Sequence, residues 1–173
     1  CAASNQLVFL DPLTGQEQRR ARDISDPYQL GYSPNRKWFV ATSLRLDRVD
    51  LYDPSDFRLI ARLPAPKTPS HMAFDDNSQF VFVTLQDSNQ VMAISLGLQK
   101  VAWIMPVSAT AAGIVMSPDN RHLLVACMGE GVVEVIDWRA RQSVKKIPTA
   151  TAAHNLQPKG DGRHFYVSNR TVD

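Results

Sequence analysis

Residues 111–148, AAGIVMSPDNRHLLVACMGEGVVEVIDWRARQSVKKIP, decide the fold. Ile114-Val115-Met116 is a short apolar run, stopped by the turn Ser117-Pro118-Asp119-Asn120. Leu123-Leu124-Val125-Ala126-Cys127 is a second run, followed by the turn Gly129-Glu130-Gly131. Val132 to Ile136 is a third, closed by Asp137, and Ser143 to Ile147 a fourth, stopped by Pro148. Four short runs, each ended by turn chemistry, predict a small antiparallel sheet of four strands.

The rest of the chain repeats this stretch. The turn before each second strand falls at Ser33-Pro34-Asn35, Asp75-Asp76-Asn77, Ser117-Pro118-Asp119 and Lys159-Gly160-Asp161, and first positions 33, 75, 117 and 159 keep a step of 42. The residues closing each third strand, Asp11, Asp53, Ser95 and Asp137, keep the same step, as do Pro64, Pro106 and Pro148 at the ends of fourth strands. In the turns, Pro supplies φ near −65° and Asp or Asn a side-chain acceptor. Proline at a strand end has no N–H to continue a ladder.

This register divides the chain into 1–29, the end of one unit; 30–70, 71–112 and 113–154, three whole units; and 155–173, the start of a fifth. It predicts a third strand at Leu7–Leu10 and a fourth from Arg19 to Ile24 in the first unit. Four-stranded units of this length at a strict period indicate an all-β fold, a β-propeller. A closed ring of seven or eight such blades needs roughly 290–340 residues, so the chain is read as about four consecutive blades, a segment of a larger ring.

Composition restricts function. The 173 residues are 44% hydrophobic and 21% charged, with a formal charge of +2 and no apolar run long enough for a membrane helix. Neither the charge nor any basic–aromatic interleaving indicates nucleic acid. Cys127 lies in an apolar strand and reads as a buried free thiol. Cys1, followed by Ala2-Ala3-Ser4, is a candidate lipidation site if a signal peptide ends before it, and could equally be an arbitrary start. Serine-hydrolase elbow, phosphate-binding loop, His-Glu-x-x-His and Cys-x-x-Cys motifs, including the Cys-x-x-Cys-His haem attachment signal, are absent.

In a propeller the connections from strand four to strand one and from strand two to strand three share one face. The register places Asp26, Tyr28, Gln29, His71, Gly113, His154 and Asn155 in the first set of connections, and Arg45, Arg48, Glu130 and Arg170 in the second. His71 and His154 occupy nearly equivalent positions two units apart, where histidine can ligate a metal, act as acid or base, or bond a neighbouring loop. Arg45, Arg48 and Arg170 are candidates for binding a carboxylate or phosphate; alternatively they pair with Asp47, Asp50, Asp87 and Glu130 as a solvated rim. The ligand-contact candidates are thus His71, His154, Arg45, Arg48, Arg170 and Asn155, with no catalytic and no metal-binding residue assigned.

The fourth and fifth units resemble the YVTN-type β-propeller repeat. The "spdg" turn is matched by Ser117-Pro118-Asp119, the "yvtn" strand by Tyr166-Val167-Ser168-Asn169, the "vsvid" strand by Val133-Glu134-Val135-Ile136-Asp137, and the closing strand by Val144 to Pro148. Ser95 stands where the repeat carries Asp. The resemblance implies a periplasmic or envelope protein, with a possible lipid anchor, that binds or scaffolds a protein or small molecule and is not itself a catalyst. It is also similar to the propeller of cytochrome nitrite reductases, which implies an alternative haem-type tetrapyrrole near His71 or His154, and to some lactonases, which implies a metal-dependent hydrolase.

Overall fold

The computed structural model describes residues 4–171. Its strands are β1 (Gln6–Leu10), β2 (Glu17–Arg22), β3 (Leu30–Tyr32), β4 (Phe39–Ser43), β5 (Arg48–Tyr52), β6 (Leu59–Pro64), β7 (Pro69–Phe74) and β8 (Phe80–Leu85). They continue as β9 (Gln90–Ser95), β10 (Lys100–Pro106), β11 (Ala111–Met116), β12 (His122–Cys127), β13 (Val132–Asp137), β14 (Gln142–Pro148), β15 (Ala153–Pro158) and β16 (Phe165–Asn169). Three complete antiparallel sheets form, β3–β6, β7–β10 and β11–β14, flanked by the two-stranded sheets β1–β2 and β15–β16. These are propeller blades, with β11 packed between β7 and β15.

The turn residues act as their chemistry requires. Asp11 Oδ1 accepts the N–H groups of Leu13 and Thr14 at 2.9 and 2.8 Å, and Asp137 Oδ1 those of Arg139 and Ala140 at 3.0 and 2.9 Å. At the departing position, among the described residues, the Ser95 hydroxyl accepts only the Leu98 N–H, at 3.4 Å. Asp75 replaces serine in the second-strand turn without loss, because its carboxylate accepts from Gln79 and Phe80 at 2.8 and 2.6 Å. The fourth strand of the first unit departs from expectation. It starts at Glu17, which a register shift at Phe9/Leu10 brings opposite Leu10, and it ends at Arg22 instead of reaching Ile24, because Asp23 turns away with φ 65°. Ile24 is still fully buried.

The apolar cores lie between blades. Val40, Val49 and Leu51 meet Met72, Val81, Val83 and Ile94 across the seam from β3–β6 to β7–β10. Phe82, Met105, Leu123, Ile136 and Trp138 fill the next seam, with Trp103 against them. Fully burying such a side chain stabilises by roughly 1.5–3 kcal/mol. All three tryptophans pack against these inter-blade cores, Trp38 in the first and Trp103 and Trp138 in the second.

Candidate functional site

The connections from strand four to strand one and the turns from strand two to strand three do share a face, and one recurring device joins them. Asn5, Asp47, Asn89 and Gly131 stand 42 residues apart, all at positive φ, from 47° to 62°. The side chains of the first three accept the N–H of Asp26, Thr68 and Thr110 at 2.9, 2.7 and 2.7 Å. Asn and Asp suit this position because they tolerate the left-handed region and carry an acceptor. The 42-residue step marks this series in the sequence too, a fourth signal beside the turns, strand ends and prolines.

At the inner edge of that face three rings form a chain. Tyr28 meets His71 edge-on with ring centroids 5.6 Å apart, and His71 meets His154 edge-on at 5.5 Å. The histidines are not strictly equivalent: one step of 42 from His71 is Gly113 and two steps is Asn155, so His154 stands one residue earlier in the register. They meet because Gly113, on the strand between them, has no side chain. A Cβ there would lie 2.7 Å from the His154 carbonyl oxygen and 2.8 Å from Asn155 Cα. Gln29, the corresponding residue one blade before His71, uses its side-chain oxygen to accept the Met72 N–H at 2.5 Å. Asn155 turns its own oxygen back to the Leu156 N–H at 2.9 Å, and its residue is exposed.

The two imidazoles differ in availability. Burial pushes the His71 pKa down to about 4, helped by the nearby His154 and opposed by a hydrogen bond to the Ala112 backbone. Its Nδ1 also lies 3.4 Å from Ser70 Oγ. Burial, then the charge of Arg170, lowers His154 as well. Both rings are therefore neutral near pH 7. His71 is tied to its own wall, whereas among the described residues the His154 imidazole has a ring contact and the Arg170 field around it. Among the described residues no group of three or more His, Cys, Asp or Glu side chains could hold a metal ion.

Of the acid–base pairs that the spacing suggested, Arg48 does meet Asp50, but buried and not on a solvated rim, and Arg45 takes Asp26 instead. Arg45 is bound to Asp26, with Nε and Nη2 to Oδ1 at 2.8 and 2.5 Å and its backbone N–H to Oδ2 at 2.9 Å. This pair pins the connection before β3 to the turn after β4. Arg48 turns inward to the fully buried Asp50, Nε to Oδ2 at 3.3 Å, where Arg62 and the Tyr52 hydroxyl also bond. Asp47 and Asp87 serve Thr68, the first through its backbone N–H and the second through its hydroxyl. Glu130 accepts from Lys146 and from the Ala109 N–H. Arg170 is exposed beside His154 and, among the described residues, is the one candidate arginine whose side chain is not committed to a carboxylate. Cys1 lies outside the described residues. Cys127 is a buried free thiol, its pKa pushed up to about 12 mainly by burial.

The profile of the YNCE-like beta-propeller family matches residues 1–173, the whole chain. The chain belongs to this family. Among solved structures, the YNCE-like chain is similar to "Kuenenia stuttgartiensis Hydrazine Synthase", with 21% identity and TM-score 0.80 over 85% of this chain and 43% of that one. It is also similar to "Structure of U3-55K", with 10% identity and TM-score 0.67 over 73% of this chain and 41% of that one. At such identities the likeness is one of fold, and the YNCE-like chain spans less than half the length of either. No curated protein sequence matches it.

Proposed function

We propose that this YNCE-like propeller is a binding or scaffold protein that takes its ligand or partner on the face carrying Tyr28, His71 and His154. The observation that carries the reading is the ring chain from Tyr28 to His154, which ends in an imidazole without a hydrogen bond of its own among the described residues, beside the exposed Arg170. A neutral imidazole offers one donor and one acceptor, and a guanidinium offers a fork for carboxylate or phosphate. Within this reading, Arg45 supports the face by fixing its loops to Asp26, Arg48 pairs with Asp50 inside β5, and His154, Arg170 and Asn155 make contact. A periplasmic or envelope location is part of the proposal and rests on the sequence alone.

The test is a thermal-shift screen of carboxylates, phosphate esters and haemin on the wild type, His154→Ala and Arg170→Ala. Haemin addresses the tetrapyrrole alternative directly, through its absorption band. The reading expects a ligand that stabilises the wild type and loses at least tenfold in affinity in one of the two variants. Binders that act equally on all three proteins would place recognition elsewhere.

A further inference from the structure

Two seams join complete four-stranded blades, and on the face opposite the rim they end differently. Between β7–β10 and β11–β14 the hairpin after β13 reaches back to the preceding blade. Trp138 packs on Phe80 with ring centroids 5.7 Å apart, and the Arg139 guanidinium lies over the Trp138 ring, 4.1 Å from its centroid. Both side chains donate to one acceptor, the Asn120 carbonyl, Trp138 Nε1 at 3.2 Å and Arg139 Nη1 at 2.7 Å. A cation stacked on an aromatic ring closes the end of that seam.

One step of 42 earlier, between β3–β6 and β7–β10, the same positions hold Leu96 for Trp138, Gly97 for Arg139 and Ser95 for Asp137. A surface groove of about 330 Å³ takes the place of the stacked pair, with Trp38, Ser78, Ser95, Gly97 and Leu98 in its lining. Every strand of both blades is in place, so the groove comes from side chains and not from an unpaired edge. Trp38 stands where Phe80 stands in the closed seam and is partly buried. The acceptor matching the Asn120 carbonyl is the Ser78 carbonyl, to which no side chain donates among the described residues. Leu98 is 73% exposed. Asp75 adds a charge that the closed seam lacks, since Ser117 is its counterpart. Its side chain is buried, forms no ion pair among the described residues, and accepts the N–H groups of Gln79 and Phe80, both in the groove wall.

We infer that this groove is a docking site for an arginine of a partner protein, which brings from outside the guanidinium that Arg139 provides within the chain at the next seam. What the groove presents selects that occupant. Trp38 gives an aromatic ring, the Ser78 carbonyl and Ser95 hydroxyl give acceptors, and Asp75 gives an unpaired carboxylate behind the wall. A guanidinium answers all three, because it stacks on indole, donates through a planar fork and stays charged. A lysine ammonium is more strongly hydrated and lacks the fork. A wholly apolar side chain would leave the acceptors without donors. The exposed Leu98 suits an apolar residue beside the arginine in the partner. The site lies on the opposite face from the Tyr28–His154 rim and stands independently of it.

NMR titration with the blocked peptide acetyl-Ala-Arg-Leu-amide, against its lysine and citrulline counterparts, tests the site. The arginine peptide should shift the Trp38 indole N–H and the Ser78, Gln79 and Gly97 amides saturably, and should bind at least about fivefold more tightly than either counterpart. Asp75→Ser, which places the residue found at Ser33 and Ser117, should weaken it at least about threefold. Gly97→Arg provides the side chain within the chain and should abolish the shifts. The change is sterically open, because a Cβ at Gly97 meets no atom within 4 Å and its φ lies outside the left-handed region. Gly97→Ala makes the same backbone change without filling the groove and should bind as the wild type does. Equal binding of the citrulline or lysine peptide, shifts confined to other residues, no saturable shift, or full binding in Gly97→Arg would overturn the proposal while leaving the rim-binding reading untouched.

Discussion

Gly113 and His154 touch through their backbones: a Cβ on Gly113 would stand 2.7 Å from the His154 carbonyl oxygen, closer than real Cβ contacts come. Because that obstacle is backbone, no rotamer change relieves it. Gly113→Ala must push β15 outward and break the edge contact between His71 and His154. Overpacking of this kind costs about 1–3 kcal/mol. The expected result is a lower denaturation midpoint, together with a His71 ring whose NMR titration moves up toward the ordinary histidine value as burial and the His154 neighbour are lost. A variant with wild-type stability and wild-type His71 titration would show that the close approach is not required.

The depressed pKa of His71 makes stability depend on pH with a definite sign. In the folded chain the ring titrates at about 4, against an ordinary value of 6.5. Between those values the unfolded chain binds a proton that the native ring refuses, so stability falls as pH drops from about 6.5 to about 4 and levels off below. The contribution is fully present at pH 7. Its loss is at most about 3 kcal/mol, since a tenfold change in proton affinity corresponds to about 1.4 kcal/mol. His154 adds to the same trend, its pKa being lowered by burial and Arg170. Urea unfolding at pH 7.5 and pH 4.5 should show a smaller pH loss in His71→Gln, which places the residue of the equivalent position 29, than in the wild type. Equal losses in the two proteins would count against this assignment.

The architecture was legible because a propeller writes its turns, strand ends and prolines at one spacing, and Ser117-Pro118-Asp119 or Pro148 each state local backbone chemistry. Strand bounds then followed to within a few residues, with Ile24 the clearest miss because the left-handed turn at Asp23, φ 65°, that ends β2 is invisible to alternation. The site was legible only as a face. That His71 and His154 meet depends on what Gly113 lacks, and an absent side chain looks bland when read alone. Arg48 could be placed at the rim by number, but its direction is set by the buried Asp50, which both Arg48 and Arg62 reach. Spacing orders positions along the ring; it does not say which acid an arginine turns toward.

Asp50 is fully buried and held by two arginines and a phenol. Arg62 donates through Nε and Nη2 at 2.9 and 3.1 Å, the Tyr52 hydroxyl bonds at 3.0 Å, and Arg48 Nε lies 3.3 Å away. Removing the carboxylate strands the buried side of Arg48, whose Nε and Nη2 have no hydrogen-bond partner of their own. Asp50→Ala should therefore destabilise by about 3–5 kcal/mol, the cost of breaking a buried pair from one side. Asp50→Asn keeps the shape and part of the hydrogen bonding and should cost less. Chemical denaturation of both variants gives the comparison, and an Ala variant no less stable than the Asn variant would refute the pairing as the source.

Two threonines one step apart are joined through Ser70, and that link predicts non-additivity. Thr42 Oγ1 donates to the Ser70 carbonyl at 2.8 Å, Ser70 Oγ and Thr84 Oγ1 share a hydrogen bond at 3.0 Å, and Thr84 Oγ1 lies 2.7 Å from the Ala112 carbonyl. All four residues are buried, so the chain crosses three blades without solvent. One hydroxyl hydrogen cannot serve both Ser70 Oγ and the Ala112 carbonyl, so with Thr84 donating to Ala112, Ser70 donates to Thr84. Thr84→Val keeps the shape but leaves the Ala112 carbonyl and the His71 N–H each short of a partner, at a cost of about 1–3 kcal/mol. Thr42→Val leaves the Ser70 carbonyl short in the same way. Because Ser70 belongs to both bonds, the first substitution frees it to shift, and the second then costs less. The double variant should be more stable than the sum of the singles implies, by at least about 0.5 kcal/mol. Urea unfolding of the four proteins in a double-mutant cycle reads that coupling directly, and strict additivity would mean that the seams on either side of β7 are held independently.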